Sequence, residues 1–307
     1  MIDVPRVSLA PDYSIAKIIN GCWQLTPDHG GGPESNKTAL RSFAELVDHG
    51  FTTFDCADIY SGTEELLGKF RRTLTDPDTI QIHTKFVPNK NSLAELDDKT
   101  IDAAIDQSRT KLGVEALDLV QFHWWDYDVA GLERMYDRLL RAQSIGRIRL
   151  LGVTNFNTER LRELLERDAS IVSMQAQYSL LDRRPERHMT ACCSRSGVAL
   201  LPYGVLAGGF LSDKYLNSPA PAAMNRSLQK YRLIIDDAGG WDVLQHLLDV
   251  LASIARKYDT TTDAIAARWV LDQPTVAAII LGIGSRSRAA RNQALCRIQL
   301  REEDRHS

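Results

Sequence analysis

Short apolar or β-branched runs recur along the chain, each bounded by polar residues or by Gly and Pro: IAKIINGCW (15–23), FTTFDCA (51–57), IQIHTKF (80–86), LDLVQFHW (117–124), IRLLGVTNF (148–156), IVSMQAQY (171–178), VALLPYGV (198–205) and VAAIILGI (276–283). Runs of this length and punctuation predict eight buried strands. Between them, apolar residues return every three or four positions in KTALRSFAELVDHG, KTIDAAIDQSRTKLG, LERMYDRLLRAQSIG, TERLRELLERD and TTDAIAARWVLDQP. That spacing predicts amphipathic helices, several of them stopped by a Gly just past the last turn. Strict alternation of strand and helix, with strands apolar on both faces, predicts an α/β protein built on a parallel sheet. Eight repeats suit a closed (β/α)8 barrel, the TIM barrel, as a single domain over residues 1–307 with long loops at its C-terminal face. A doubly wound sheet is the alternative, but no GxGxxG opens the first β/α turn, the phosphate cradle such sheets use.

One connection breaks the rhythm. Residues 206–275 hold far more than one helix, and SDKYLNSPAPAAMNRSLQKY within them is rich in Ser, Pro and Asn. It reads as a long loop, with helices following near 241–257 and 261–272, and connections of this length in compact domains are commonly lids or binding loops. The three glycines of TPDHGGGPES (26–35) could approach a phosphate, but the segment reads rather as a surface turn. No repeat or linker divides the chain.

Composition narrows the function classes. With 44% hydrophobic and 25% charged residues the chain can bury a sizeable core, and 37 basic against 40 acidic residues leave a net charge of −3 without long runs of one sign. Nucleic acid is therefore not expected as a partner. No stretch is apolar enough to span a membrane, and the N-terminus lacks a leader pattern, so a cytoplasmic location is expected. Five cysteines, two of them adjacent at Cys192 and Cys193, suggest reduced thiols rather than a disulfide framework. Without CxxC or HExxH, no metal is expected.

In an eight-stranded barrel the reactive groups stand at the carboxyl ends of the strands. Asp55, Lys85, His123, Asn155, Gln175 and Tyr203 end successive predicted strands and should meet at one rim. Singly each has a plain reading: a strand-end Asp can cap the next helix, and a lone His is often a core residue. Jointly they are harder to explain so, because buried Lys and Asp are costly unless paired. An ammonium at Lys85, kept charged by Asp55, would lower the pKa of the nearby Tyr60 phenol, and His123 could orient a carbonyl and hydrogen-bond the developing alkoxide. This is general-acid chemistry suited to adding hydride to a C=O group while Tyr60 gives the proton. The hydride must come from a nicotinamide.

At these residues the sequence resembles the aldo-keto reductase family. The resemblance runs from about residue 15 to residue 300 through FDCADIYSGTEELLG (54–68), HTKF (83–86), DLVQFHWW (118–125), GRIRLLGVTNF (146–156), MQAQYSLLDRRPE (174–186), PYGVLAGGFLSDKY (202–215) and AIAARWVLDQP (264–274). It implies the same barrel, with the catalytic Asp, Tyr, Lys and His on Asp55, Tyr60, Lys85 and His123. It also implies that Asn155 and Gln175 hold the nicotinamide carboxamide, that Tyr203 stacks on its ring, and that Gly204, Leu206 and Gly208 follow the pyrophosphate. GIGSRSRAARN (282–292) is similar to the family's adenosine and 2′-phosphate site, which implies NADPH/NADP+ read by Arg286 and Arg288, with Asn292 at the adenine. The sequence departs from the family at Leu281, where Pro is frequent, and at Arg291, where an acidic residue is frequent.

Trp23, Trp124 and Trp125 are expected to flank the mouth and contact a small-molecule carbonyl substrate, although Trp125 could equally pack behind its strand, while His83 is expected to pack inside the barrel. Two other readings stay open: an NADPH-binding regulatory module on the same barrel, and an aldolase using Lys85 as a Schiff-base nucleophile. The intact tetrad favours catalysis over the first, and Asp55, which would keep Lys85 protonated, speaks against the second. Oligomeric state and physiological substrate are not legible.

Overall fold

The computed structural model describes residues 4–27, 33–222, 224–283 and 288–305. Ten strands are described: β1 (Arg6–Ala10), β2 (Tyr13–Ala16), β3 (Ile18–Gly21), β4 (Thr53–Asp55), β5 (Gln81–Phe86), β6 (Leu117–Phe122), β7 (Ile148–Thr154), β8 (Ile171–Gln177), β9 (Ala199–Tyr203) and β10 (Ile279–Gly282). The helices are α1 (Pro33–Asp48), α2 (Thr63–Arg71), α3 (Asp98–Leu112), α4 (Leu132–Ser144), α5 (Thr158–Arg167), α6 (Met189–Ser196), α7 (Arg226–Asp237), α8 (Trp241–Lys257), α9 (Thr262–Leu271), α10 (Ala289–Arg297) and α11 (Glu302–Arg305).

Strands β3 to β10 run parallel in the order β10-β3-β4-β5-β6-β7-β8-β9, so every predicted strand takes its place in one eight-stranded sheet. The sheet rolls up until its two edges meet at Leu200, whose N–H donates to Thr275 O at 3.3 Å and whose carbonyl accepts from Ala277 N at 3.0 Å. This is the (β/α)8 barrel.

Strands β1 and β2 correct the first predicted strand. Residues 15–23 do not form one run; Tyr13–Ala16 pairs antiparallel with Arg6–Ala10, and only after Lys17 does the chain enter the barrel. The signal was local: Val7 and Leu9 alternate with polar residues, as do Tyr13 and Ile15, across a Pro11-Asp12 turn. The hairpin closes the barrel's amino-terminal end. Arg6 donates to Thr52 Oγ1 at 2.9 Å and to Gln81 Oε1 at 3.0 Å, and Ala16 N donates to Thr53 Oγ1 at 2.9 Å, all near strand starts. Tyr13 and Ile15 pack into a buried apolar layer with Ile19, Leu119, Leu150, Leu201, Ala278 and Ile280. One end of the barrel is thus plugged, and the polar residues gather at the other.

The long loop expected after β9 is also corrected in part. Residues 226–237 form α7, because Asn225 accepts from Leu228 N at 2.9 Å as an N-cap and Leu228, Tyr231 and Ile235 recur at helical spacing on the face packed against the core.

Candidate active site

The strand ends carry the expected residues to one place. A cavity of about 620 Å³ opens at the carboxyl ends of the strands, and its walls include Asp55, Tyr60, Lys85, His123, Asn155, Gln175 and Tyr203. Period-two alternation explains the convergence: inward positions on parallel strands rise in steps along each strand, and the last of them face the mouth.

At the floor lies a buried ion pair. Lys85 Nζ donates to Asp55 Oδ2 and to Cys56 O, each at 2.7 Å, and stands 5.2 Å from the centre of the Tyr60 ring. Burial pulls the Lys85 pKa down, but Asp55 and Tyr60 outweigh it and hold the amine above the usual lysine range. Lys85 therefore stays charged. Burial raises the Tyr60 phenol, and although Lys85 lowers it, the net effect is a pKa pushed up to about 12. The expectation that lysine would win is corrected at this point: desolvation is the larger effect, and Tyr60 stays protonated at neutral pH.

Tyr60 is held by its turn. Its carbonyl accepts from Thr63 N at 2.9 Å at the start of α2, and α2 is tied to β5 by Thr84 Oγ1 donating to the buried Glu64 at 2.7 Å. Asp58, unnoticed in the sequence, accepts from Ile59 N at 2.9 Å and Val87 N at 3.1 Å, joining the Tyr60 turn to the strand that carries Lys85. Burial is the main cause that raises its carboxyl, to about 7.

His123 follows β6, and its Nδ1 donates to Thr154 O at 3.0 Å. Burial lowers its pKa, so the ring is neutral with its proton on Nδ1. Nε2 is then an acceptor, which suits an alcohol hydroxyl; donation to an alkoxide, the sequence expectation, would need the ring to be charged. Gln175 Nε2 donates to Asp55 Oδ1 at 2.7 Å. Asn155 sits at φ 59, a left-handed conformation that Asn tolerates better than most residues, and accepts from the Tyr203 hydroxyl at 2.8 Å.

Gly204, Leu206 and Gly208 line the cavity on the β9 side. Their neighbour is α7: a Cβ on Gly204 would lie 2.7 Å from Tyr231 Oη, and one on Gly208 2.5 Å from the Tyr231 ring. The bare backbone thus admits Tyr231, while Lys230 on the same helix lies 5.2 Å from the Tyr203 ring centre. These two residues were missed because their segment read as loop. Arg288 reaches the cavity, and Asn292 is buried in α10. Arg286 lies outside the described residues. Arg291, the departure from the family pattern, pairs with Asp263 at 3.1 Å.

Trp23 and Trp125 line the mouth; Trp125 is 45% exposed, donates to Pro88 O at 2.6 Å and meets the His123 ring edge-on at 4.5 Å. Trp124 does not. It is 2% exposed, packed against Phe122 with its indole N–H on Asp126 O, because neighbours on an extended chain point to opposite sides. His83 is fully buried within the barrel as expected. Among the described residues no helix is long and apolar enough to cross a membrane.

Comparison with known proteins agrees with this picture. The sequence matches the aldo/keto reductase family over residues 17–306. Among curated relatives, Flagellar radial spoke protein 5 of Chlamydomonas reinhardtii is 26% identical over 297 residues, a match covering 76% of this chain and 56% of that protein, so the chain spans little more than half of it. Aldo-keto reductase YhdN of Bacillus subtilis (strain 168) is 24% identical, over 83% of this chain and 77% of its own length. Among solved structures, the glycerol dehydrogenase AKR11B4 from Gluconobacter oxydans shares the fold with a TM-score of 0.81 at 22% identity, covering 99% of this chain and 92% of that one. With the match running from the first barrel strand through the last helix, the chain belongs to the aldo/keto reductase family, oxidoreductases that act on carbonyl compounds.

Proposed function

We propose that this chain reduces an aldehyde or ketone to the alcohol with NADPH as reductant and Tyr60 as proton donor. The observation that carries the reading is the buried Lys85 ammonium, paired with Asp55 at 2.7 Å and set 5.2 Å from the Tyr60 ring centre in the wall of a cavity.

The residues present suit a dinucleotide. Tyr203 offers an aromatic face fixed by Asn155, and Gln175 and Asn155 bring amide groups to the same rim. Arg288 lines the cavity, and among the described residues no carboxylate pairs with it, which leaves its guanidinium for a phosphate. When bound, the cofactor supplies the hydride. Tyr60, protonated at neutral pH, gives its hydroxyl proton to the carbonyl oxygen as negative charge builds there. Lys85 stabilises the tyrosinate left behind, and Asp55 keeps that lysine charged throughout. His123 Nε2 accepts from the new hydroxyl, and Trp23 and Trp125 wall the substrate.

The test is NADPH consumption against a panel of aldehydes, quinones and ketones, with quenching of protein fluorescence as the binding control. Turnover with at least one class is expected, and Tyr60→Phe should lower kcat by about a hundredfold or more while NADPH still binds. Binding without turnover across the panel would favour the regulatory module instead, and an unimpaired Tyr60→Phe enzyme would remove Tyr60 from the mechanism.

A further inference from the structure

The ion pair turns on Asp55, and three side chains share its two oxygens. Oδ2 takes Lys85 Nζ at 2.7 Å, while Oδ1 takes Gln175 Nε2 at 2.7 Å and Gln121 Nε2 at 3.3 Å. Gln175 already has an expected part in binding; Gln121 has none. It is fully buried on β6, two residues before His123, in register with Lys85 on one side and Gly152 on the other.

A carboxylate can only accept, so the amide must present Nε2 to Asp55 and turn Oε1 away from it. Oε1 is buried and bonded by no described group, as are Ser173 Oγ and both ring nitrogens of His83. The barrel makes room for this arrangement: a Cβ on Gly152 would lie 2.3 Å from Ser173 Oγ and 3.5 Å from Gln121 Cγ. The neighbouring interior layer is apolar, with Leu119, Leu150, Leu201 and Ile280. Burying an incompletely bonded amide there is unfavourable, and methionine would fill similar space without that penalty. What the amide adds is an N–H on the carboxylate.

We propose that Gln121 is a positioning residue of the reaction: its amide holds the Asp55 carboxylate in place, and so keeps the Lys85 ammonium beside the Tyr60 phenol. The inference rests on the Tyr60 and Lys85 reading of the site. The titratable groups near Asp55 are Lys85 and His83 on β5, Tyr60 and Cys56 after β4, Cys22 after β3 and His123 after β6. Lys85 is the only cation among the described groups bonded to that carboxylate, and the two glutamine amides are the neutral donors that complete it.

Two substitutions test it. Gln121→Met keeps the volume and removes the donor, and kcat should fall about tenfold or more at every pH, with the NADPH Kd from fluorescence quenching unchanged. Gln121→Glu places a second carboxyl beside Asp55. When protonated, its O–H can donate as the amide does; when ionised, it repels. Two carboxyls at one site drive one pKa strongly upward, so kcat of this variant should approach the wild-type value at low pH and drop as pH rises through that raised pKa. Wild-type kcat in Gln121→Met, or a loss in Gln121→Glu that is equal at all pH values, would overturn the proposal. Should Gln121→Glu not fold, the split between kcat and Kd in Gln121→Met decides alone. Wild-type turnover that survives Tyr60→Phe sinks the reading of the whole site; turnover lost in Tyr60→Phe but intact in Gln121→Met sinks only the part given to Gln121.

Discussion

Among single side chains, Asp58 and Arg288 make the most direct demands on experiment. Asp58 is raised from the ordinary carboxyl range to about 7, chiefly by burial, while its backbone bonds to Val87 and Ile59 pull the other way. A carboxyl raised in the folded state binds its proton more tightly there than in the unfolded chain. Its contribution to stability is therefore fully present below about pH 4 and is lost as pH rises through about 7. Asp58→Asn can still accept from Val87 N and has no charge to bury, so the Tm difference between variant and wild type should shift in favour of the variant between pH 5 and pH 8. A constant difference across that range would show that Asp58 does not titrate there. Arg288 is proposed to read the 2′-phosphate. Arg288→Ala should weaken NADPH binding by about 10-fold or more, the scale of a hydrogen bond between charged groups, and weaken NADH binding far less. Equal weakening would assign Arg288 to another part of the cofactor.

Among elements, the α2 helix links packing to chemistry, since it begins just after the Tyr60 turn and is bonded to β5 through Glu64 and Thr84. It lies against α3 so closely that a Cβ on Gly68 would stand 2.1 Å from Lys111 O and 2.9 Å from Leu112 Cα. Backbone cannot give way as a flexible side chain can. Gly68→Ala should therefore destabilise the fold by about 2–3 kcal/mol, measured by denaturant titration, and raise the mobility of the Tyr60 turn. A neutral effect would mean that the two helices can part without loss. The barrel strands and most helices were legible from the sequence, because buried parallel strands and amphipathic helices have distinct periods. Boundaries and additions were less so. The β1–β2 hairpin merged with the first barrel strand since both are apolar and only Lys17 separates them. The α7 helix was hidden by the Ser, Pro and Asn residues before it, although Asn225 is its cap. Three of the four catalytic candidates, Asp55, Lys85 and His123, were legible as strand-end polar residues and Tyr60 by its place in the turn that follows, whereas Gln121, inward-facing like His123, looked like one polar residue within an apolar strand. Of the two adjacent tryptophans it is Trp124, not Trp125, that packs behind the strand, because alternation sends His123 and Trp125 to the cavity. The balance of burial against charge at Tyr60 needed three-dimensional distances.

On the scale of the whole molecule, the hairpin plug and the cavity divide the barrel into a stabilising end and a reactive end. Arg6, Tyr13 and Ile15 bind one end together, and the buried ion pair and the left-handed Asn155 lie at the other. The division allows the reactive end to vary without loss of the fold, as a family with many substrates requires. The meeting of β9 and β10 at Leu200 has a mechanical consequence. Most neighbouring strands are joined by a ladder of several paired residues, as β8 and β9 are over five, but this junction rests on a single bridge. It is the barrel's seam, where a thermal fluctuation opens the wall most cheaply. Tyr203 stands at the end of one lip and Gly282 at the end of the other. A dinucleotide that leans on both lips would act as a clasp. The amide protons of Leu200 and Ala277 should exchange with deuterium faster than those of β6 and β7 in the free protein, and NADPH should slow them more than any others outside the cavity. Exchange at the seam that ignores the cofactor would show that the wall is held shut by its packing alone.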